Sequence, residues 1–233
     1  RSTLFPYTTL FRSTNFKEVL RDCTYTFEQG RIYGLLGRNG AGKTTLFKTI
    51  YGEYDEFSGT ALLAVNGGQR KTTGDDIGMV FSQPMIPDFL TGREFIRFYV
   101  DVHGETDDGV AELFERLGFS ADDPDRLIKG YSSGMKAKLY LMTLLISKPP
   151  VMLLDEPLTS LDVIVANEIK KSLLELRDEH IILFSTHIMQ LAKDMCDEIV
   201  LLKDGVLEGL TGLDKTSPEY EEEIIRHLVG DEK

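Results

Sequence analysis

Short continuous apolar runs alternate along this chain with longer stretches whose apolar residues recur at helical spacing. Residues 31–36 (RIYGLL) form the first clear run, of the length and character of a buried strand. A glycine-rich turn at 37–42 follows, then a helix predicted from Lys43 to about Tyr51. Residues 60–65 and 77–81 predict further strands, with Asn66-Gly67 as a turn signal. Helices are predicted over 89–103 and 110–117, and Asp122, Asp123 and Pro124 mark a loop. Residues 133–147 read as an apolar helix stopped by Pro149-Pro150. Residues 151–154 are a short buried strand. Apolar residues at 165, 169, 173 and 176 give 163–177 one helical stripe. Residues 180–185 and 198–203 predict two more strands, and Asp204-Gly205 starts a hairpin turn. The acid run 219–223 is the solvated face of a terminal helix at about 217–229.

Strands alternating with helices predict an α/β domain with a mainly parallel sheet. The block from about 88 to 147 shows no strand and reads as a helical insertion. No internal repeat and no sustained heptad is present.

Composition narrows the classes. The chain has 233 residues, is 42% hydrophobic and 27% charged, and carries 26 Lys and Arg against 38 Asp and Glu. That is long and apolar enough for a sizeable core without disulfide or metal staples. The net charge of −12 argues against a general nucleic-acid surface, which needs a basic face. No apolar run approaches the ~18 to 20 residues of a membrane span; the longest candidate, 139–146, is short and interrupted by Thr143. Cys23 and Cys196 form no C-x-x-C pattern and read as two reduced thiols of a cytosolic protein.

The chemistry concentrates in a few motifs. Gly37-Arg38-Asn39-Gly40-Ala41-Gly42-Lys43-Thr44 fits G-x-x-x-x-G-K-[ST] at every defined position, between a predicted strand and a predicted helix. Glycines allow the turn and bring backbone N–H groups to phosphate oxygens, and the following helix points its positive end at them. Lys43 supplies a charge to the β- and γ-phosphates, and Thr44 a hydroxyl ligand to Mg²⁺. Asp155 and Glu156 close the strand VMLLD, where ligands of open α/β sheets bind. Asp155 is placed to hold Mg²⁺ through water and Glu156 to orient and deprotonate an attacking water. Read alone, the same acids are equally a helix N-cap.

With these motifs the chain resembles the ATP-binding cassette ATPases over nearly all of residues 14–210. The phosphate loop is followed in order by Gln83 in VFSQP, by YSSGMK at 131–136 where the family usually has LSGGQ, by LDEP at 154–157, by Ser160-Leu161-Asp162, and by Ser185-Thr186-His187. Taken singly, Gln83 is a surface glutamine before a proline, His187 a helix N-terminal or buried histidine, and Asp162 an N-cap. The ordered set carries the assignment.

The resemblance implies a P-loop NTPase core with a mainly parallel sheet, an antiparallel β subdomain and an inserted helical subdomain, all in a single domain over 14–233. It implies ATP and Mg²⁺ as cofactors, held by Gly37 to Thr44 with Thr45. Thr44, Gln83 and Asp155 fall to the metal. Glu156, His187, Gln83 and Lys43 fall to catalysis. Phe16 is placed to stack on adenine. Ser132 and Gly134 would reach the ATP of a second subunit, and Ser160 and Asp162 form a dimer loop. Ser133 stands where the family has its first signature glycine and Met135 where it has glutamine, so the effect of this signature on turnover stays open.

The function expected from the resemblance is the ATPase subunit of a membrane transporter, of bacterial export type. It would be a homodimer or heterodimer, peripheral on the cytoplasmic face of the membrane, with a separate polytopic permease as partner and no nucleic acid. A soluble family member acting on ribosomes or DNA is the alternative, but such relatives generally carry two cassettes or a long coiled coil. A small-molecule kinase would leave the motifs at 131–136, 160–162 and 187 unexplained.

One segment stands apart. Residues 3–13 (TLFPYTTLFRS) match what one reading frame of a common short-read sequencing adapter encodes, and residues 1–13 are therefore expected to be a non-native joint to a truncated gene. Removing them takes away Arg1 and Arg12 and no acid, which makes the balance more acidic still. Re-amplification of the locus from source DNA is expected to lack this segment; an in-frame genomic sequence for 3–13 would overturn the reading.

Overall fold

A computed structural model describes residues 3–12, 18–54, 57–65, 68–82, 86–103, 109–158, 161, 163–210 and 217–229. In chain order the elements are β1 (Thr3–Arg12), β2 (Glu18–Thr24), β3 (Phe27–Glu28), β4 (Arg31–Leu36), α1 (Lys43–Tyr51), β5 (Phe57–Val65), β6 (Gly68–Lys71), β7 (Ile77–Val80), α2 (Gly92–His103), α3 (Val110–Arg116), α4 (Ser133–Ser147), β8 (Val151–Asp155), α5 (Val163–Leu176), β9 (Ile181–Thr186), α6 (Met189–Met195), β10 (Glu198–Lys203), β11 (Val206–Gly209) and α7 (Pro218–Val229).

The larger sheet runs β11-β10-β4-β9-β8-β7, with every neighbour pair parallel except the β10–β11 hairpin. The interiors of its parallel strands are mainly apolar because both faces are covered. Successive side chains point to opposite faces, and the burial follows that rule. Ile32, Met152, Leu154, Ile182, Phe184, Ile199 and Leu201 enter one core with Ile96, Leu139, Ile169 and Tyr220 of the helices. Tyr33, Leu35, Val151, Leu153, Ile181, Leu183, Val200 and Leu202 enter the other core, with Leu46, Phe47 and Ile50 of α1 and with Leu20, Phe27 and Leu63 of the second sheet. The fold is therefore the α/β class with a mainly parallel sheet and an antiparallel β part.

That second sheet is antiparallel and runs β2-β1-β5-β6, with β3 also on β1. Strand β1 consists of the suspect N-terminal residues. Backbone pairing of this kind is open to any segment rich in Thr, Phe and Leu, so it bears on conformation and not on origin. Between β7 and β8 the described residues form helices α2, α3 and α4 and two short 3₁₀ turns.

Most predicted elements appear within one to three residues of their expected ends, and several ends have a visible cause. Helix α2 begins at Gly92 and not at 89, because Thr91 and Glu94 form a capping pair: Thr91 N–H donates to Glu94 Oε2 (2.8 Å) and Glu94 N–H to Thr91 Oγ1 (3.1 Å). Strand β7 stops at Val80, before Phe81. The expected loop at 122–124 tightens into a 3₁₀ turn over Asp123–Asp125. Asp204 and Gly205, both at positive φ (49° and 81°), make the predicted two-residue hairpin turn. The 163–177 stripe is confirmed, with Val165, Ile169 and Leu173 buried and Leu176 partly so. In α7, Tyr220 and Ile224 are buried while Glu219 and Glu222 are exposed. Cys23 and Cys196 are both buried thiols, and Cys23 Sγ–H donates to the Gly205 carbonyl (2.8 Å). Asn66 and Gly67 lie outside the described residues; the strands flanking them pair as β5 and β6.

Strand β6 was not legible in the sequence, since all four of its residues are exposed. It is tied to the core by Arg70, whose guanidinium grips buried Asp76 in two hydrogen bonds (2.5 and 2.6 Å). Thr73 N–H and Oγ1 add two more to Asp76. Arg70 and these bonds hold the Asp76 carboxyl well below the usual range. A depressed folded-state pKa stabilises the fold above the unfolded value, near 3.9, and that stability is lost as pH falls. Asp76→Asn is therefore expected to lower the urea midpoint at pH 7, with the gap from wild type closing as pH drops below about 4.

Candidate functional site

The site forms where β4, β9 and β8 end side by side. Leu36 pairs with Thr186, and Ser185 with Asp155, so the segments after these strands emerge at one edge of the sheet. The phosphate loop leaves β4 at Gly37. A Cβ there would lie 2.8 Å from the Leu202 carbonyl oxygen of β10, so only glycine admits this packing. Gly40 and Gly42 take positive φ (83° and 104°), which turns the loop into the N-terminus of α1. Among the described residues no side-chain hydrogen bond caps that terminus, which leaves its first N–H groups available to an anion. The cavity, about 310 Å³, is lined by Val19, Asn39, Gly40, Gly42, Lys43, Thr44, Thr45 and Glu156. Arg38 is exposed and Ala41 half-buried, with Ala41 N–H donating to the Arg38 carbonyl (3.0 Å).

Lys43 is buried. Its Nζ donates to the Gly37 carbonyl (2.8 Å) and lies 3.7 Å from Glu156 Oε1. Thr44 Oγ1 donates to Asp155 Oδ2 at 2.7 Å. Asp155 is 1% exposed, and its other oxygen accepts from Ser185 Oγ at 2.6 Å. Glu156 follows at φ 49°, a left-handed backbone rare for a residue with a side chain; its N–H donates to the same Ser185 Oγ (3.1 Å). His187 Nδ1 lies 3.0 and 3.1 Å from the two Glu156 oxygens. Because a carboxylate only accepts, we assign the ring proton to Nδ1.

The structure brings Lys43, Thr44, Asp155, Glu156 and His187 together at one edge of the sheet. Ser185 was missed as a site residue, although it stands in the Ser-Thr-His motif. The available signal was a small hydroxyl ending an otherwise apolar strand. Phe16, Gln83, Ser160 and Asp162 lie outside the described residues.

Thr44 and Asp155 offer oxygen donors only, which suits Mg²⁺. Among the described residues no group of three or more His, Cys, Asp or Glu forms a metal cage. A magnesium ion there would take its remaining ligands from phosphate and water, the usual mode for that ion.

The signature lies apart from this cluster. Tyr131 is buried, its hydroxyl donating to the Asp123 carbonyl (2.6 Å), and burial pushes its pKa to about 12. A Cβ on Gly92 would meet that hydroxyl at 2.2 Å, so the two residues fit as a pair. Ser132 caps α4, accepting from Met135 N–H (3.2 Å). Ser132 and Ser133 are exposed, and Met135 packs against the core. Among the described residues, no hydrogen bond or ion pair joins 131–136 to the phosphate loop.

Comparison with known proteins gives the family of the chain. A family model described as ABC transporter matches residues 20–159. An uncharacterized ABC transporter ATP-binding protein of Bacillus subtilis, YdbJ, is 29% identical over 90% of this chain and 69% of its own. A fluoroquinolones export ATP-binding protein of Mycobacterium tuberculosis is 33% identical over 82% of this chain and 64% of its own. A solved structure described as the ATP binding subunit of an ABC transporter superposes with a TM-score of 0.83 over 97% of this chain and 99% of that one, at 24% identity. The chain belongs to the ABC transporter family, as an ATPase domain of it. It spans roughly two thirds of the length of the two relatives described.

The close backbone approach at Gly37 yields a direct test. Gly37→Ala should overpack the loop against β10 at about 2 kcal/mol, lowering the thermal midpoint by roughly 4–8 °C. A melt followed by circular dichroism checks it.

Proposed function

We propose that this chain binds and hydrolyses Mg·ATP as the motor subunit of an export system, two subunits closing around two nucleotides. One observation carries the reading. A buried lysine, a hydroxyl bonded to a buried aspartate, and a glutamate held by a histidine converge on one loop cavity.

In this reading the triphosphate lies along residues 37–45. Loop and helix N–H groups and Lys43 Nζ meet the β- and γ-phosphates. Thr44 and Asp155, with Gln83, would hold Mg²⁺, Asp155 through water. Bound there, Mg²⁺ would offset charge on the phosphate oxygens. Glu156 accepts the proton of the attacking water, and the His187 Nδ1–H bond steadies its carboxylate. Ser132 and Gly134 sit at the N-terminus of a fifteen-residue helix, and among the described residues no hydrogen bond or ion pair joins them to the chain's own loop. That supports a role toward the nucleotide of a second copy, with Ser160 and Asp162 at the same contact.

Among the described residues no helix is long and apolar enough to cross a membrane, which supports a separate permease and a peripheral place at the cytoplasmic face. The export direction is supported by the printed function of the mycobacterial relative.

Two substitutions test the reading together. Glu156→Gln should cut hydrolysis by about 100- to 10,000-fold and trap an ATP-dependent dimer on size-exclusion chromatography; a monomer that hydrolyses normally would overturn the base assignment. Lys43→Ala should abolish ATP binding by calorimetry, and undiminished binding would refute the loop's role.

A further inference from the structure

We propose that Ser185 is a positioning residue that locks the metal-side acid and the base-side acid into one unit. The inference rests on the roles given above to Asp155 and Glu156. Ser185 is fully buried at the end of β9, directly opposite Asp155 in the parallel register. The other inward and outward residues of that strand up to this point are Ile181, Ile182, Leu183 and Phe184. A hydroxyl in such surroundings must find partners on both its hydrogen and its oxygen.

It finds one on each neighbouring function. The hydroxyl hydrogen goes to Asp155 Oδ1 at 2.6 Å, and the oxygen accepts the Glu156 N–H at 3.1 Å. The first bond satisfies one oxygen of a buried carboxylate and so turns the other, Oδ2, to Thr44. The second holds the backbone of a residue at φ 49°, a conformation that persists only where its surroundings over-determine it. Rotating Asp155 would misplace the metal ligand; relaxing Glu156 would swing its carboxylate away from Lys43 and His187. Ser185 opposes both motions through one atom.

A residue whose contribution is only packing would tolerate any side chain of equal volume. Ser185→Thr and Ser185→Val are nearly isosteric with each other and differ in the hydroxyl alone, so their comparison isolates the hydrogen bonds. Steady-state ATPase is measured with the full chain, scoring kcat, KM for ATP and the Mg²⁺ concentration for half-maximal rate. Circular dichroism melts accompany each variant.

The expected result is that Thr stays within about threefold of wild type. Val should lose about 10- to 100-fold in kcat or need correspondingly more Mg²⁺, the range typical of a lost partner behind a ligand. KM for ATP should change far less, since the loop and Lys43 are untouched. Equal kcat and equal Mg²⁺ response for Thr and Val overturn the proposal. Should the added methyl unfold both, Ser185→Ala, which needs no extra room, decides: the same loss supports the proposal, and wild-type values overturn it. Glu156→Gln is assayed alongside. If it hydrolyses normally, the reading of the site fails and this proposal with it; if it is inactive while Ser185→Ala is normal, only the role of Ser185 fails.

Discussion

A carboxylate shut away from water governs the architecture of this domain. Asp155 is 1% exposed, and an ionised group in that position is tolerable only with hydrogen bonds on both oxygens. Thr44 and Ser185 provide them. Those two bonds bind the first turn of α1 to the end of β8, and β8 to β9. They therefore fix how far the phosphate loop stands from the end of the strand that carries Asp155. The apolar strands supply the driving force for the sheet. The buried acid supplies its register at the edge where chemistry occurs, since a slip of one residue would leave Asp155 against the core.

The order of residues after that strand then gains a physical meaning. Asp155, pointing into the sheet edge, is satisfied and fixed. Glu156, one residue later, is turned by its positive φ toward the cavity, where it meets Lys43 and His187. Adjacent acids thus serve different ends because one faces protein and the other faces the cavity. The alternative of a simple helix N-cap, open while only the sequence is considered, does not describe either of them.

Much of this was legible beforehand because it is written in strong local signals. The parallel strands are uninterrupted apolar runs, the loop is a dense glycine motif, and the 165–169–173 stripe has only one helical face to bury. The antiparallel part was less legible for a physical reason. Strand β6 buries nothing, and β2 (EVLRDCT) mixes charges with apolar residues, so neither shows a clean period. They are strands because of their partners and of anchors such as Arg70 on Asp76. Ser185 is silent in the sequence for a related reason: its two bonds reach Asp155 and Glu156, 30 and 29 residues away, which no local pattern records. Phe16, Gln83, Ser160 and Asp162, all assigned by resemblance, fall where the structure gives no description.

The strand order has a kinetic consequence. Thr44 and Asp155 are 111 residues apart in sequence, and Tyr25 and Glu198, bonded at the sheet's far margin, are 173 apart. Parallel pairing of β4 with β10 and β9 must close such loops before any of these contacts forms, and non-local topologies of this kind fold slowly. The cavity at the strand ends therefore comes into being only when the sheet does. A nascent or partly unfolded chain offers the glycine loop without its acids. Any nucleotide bound by the completed site draws the folding equilibrium toward the native state by mass action, so occupancy and foldedness are two readings of a single equilibrium.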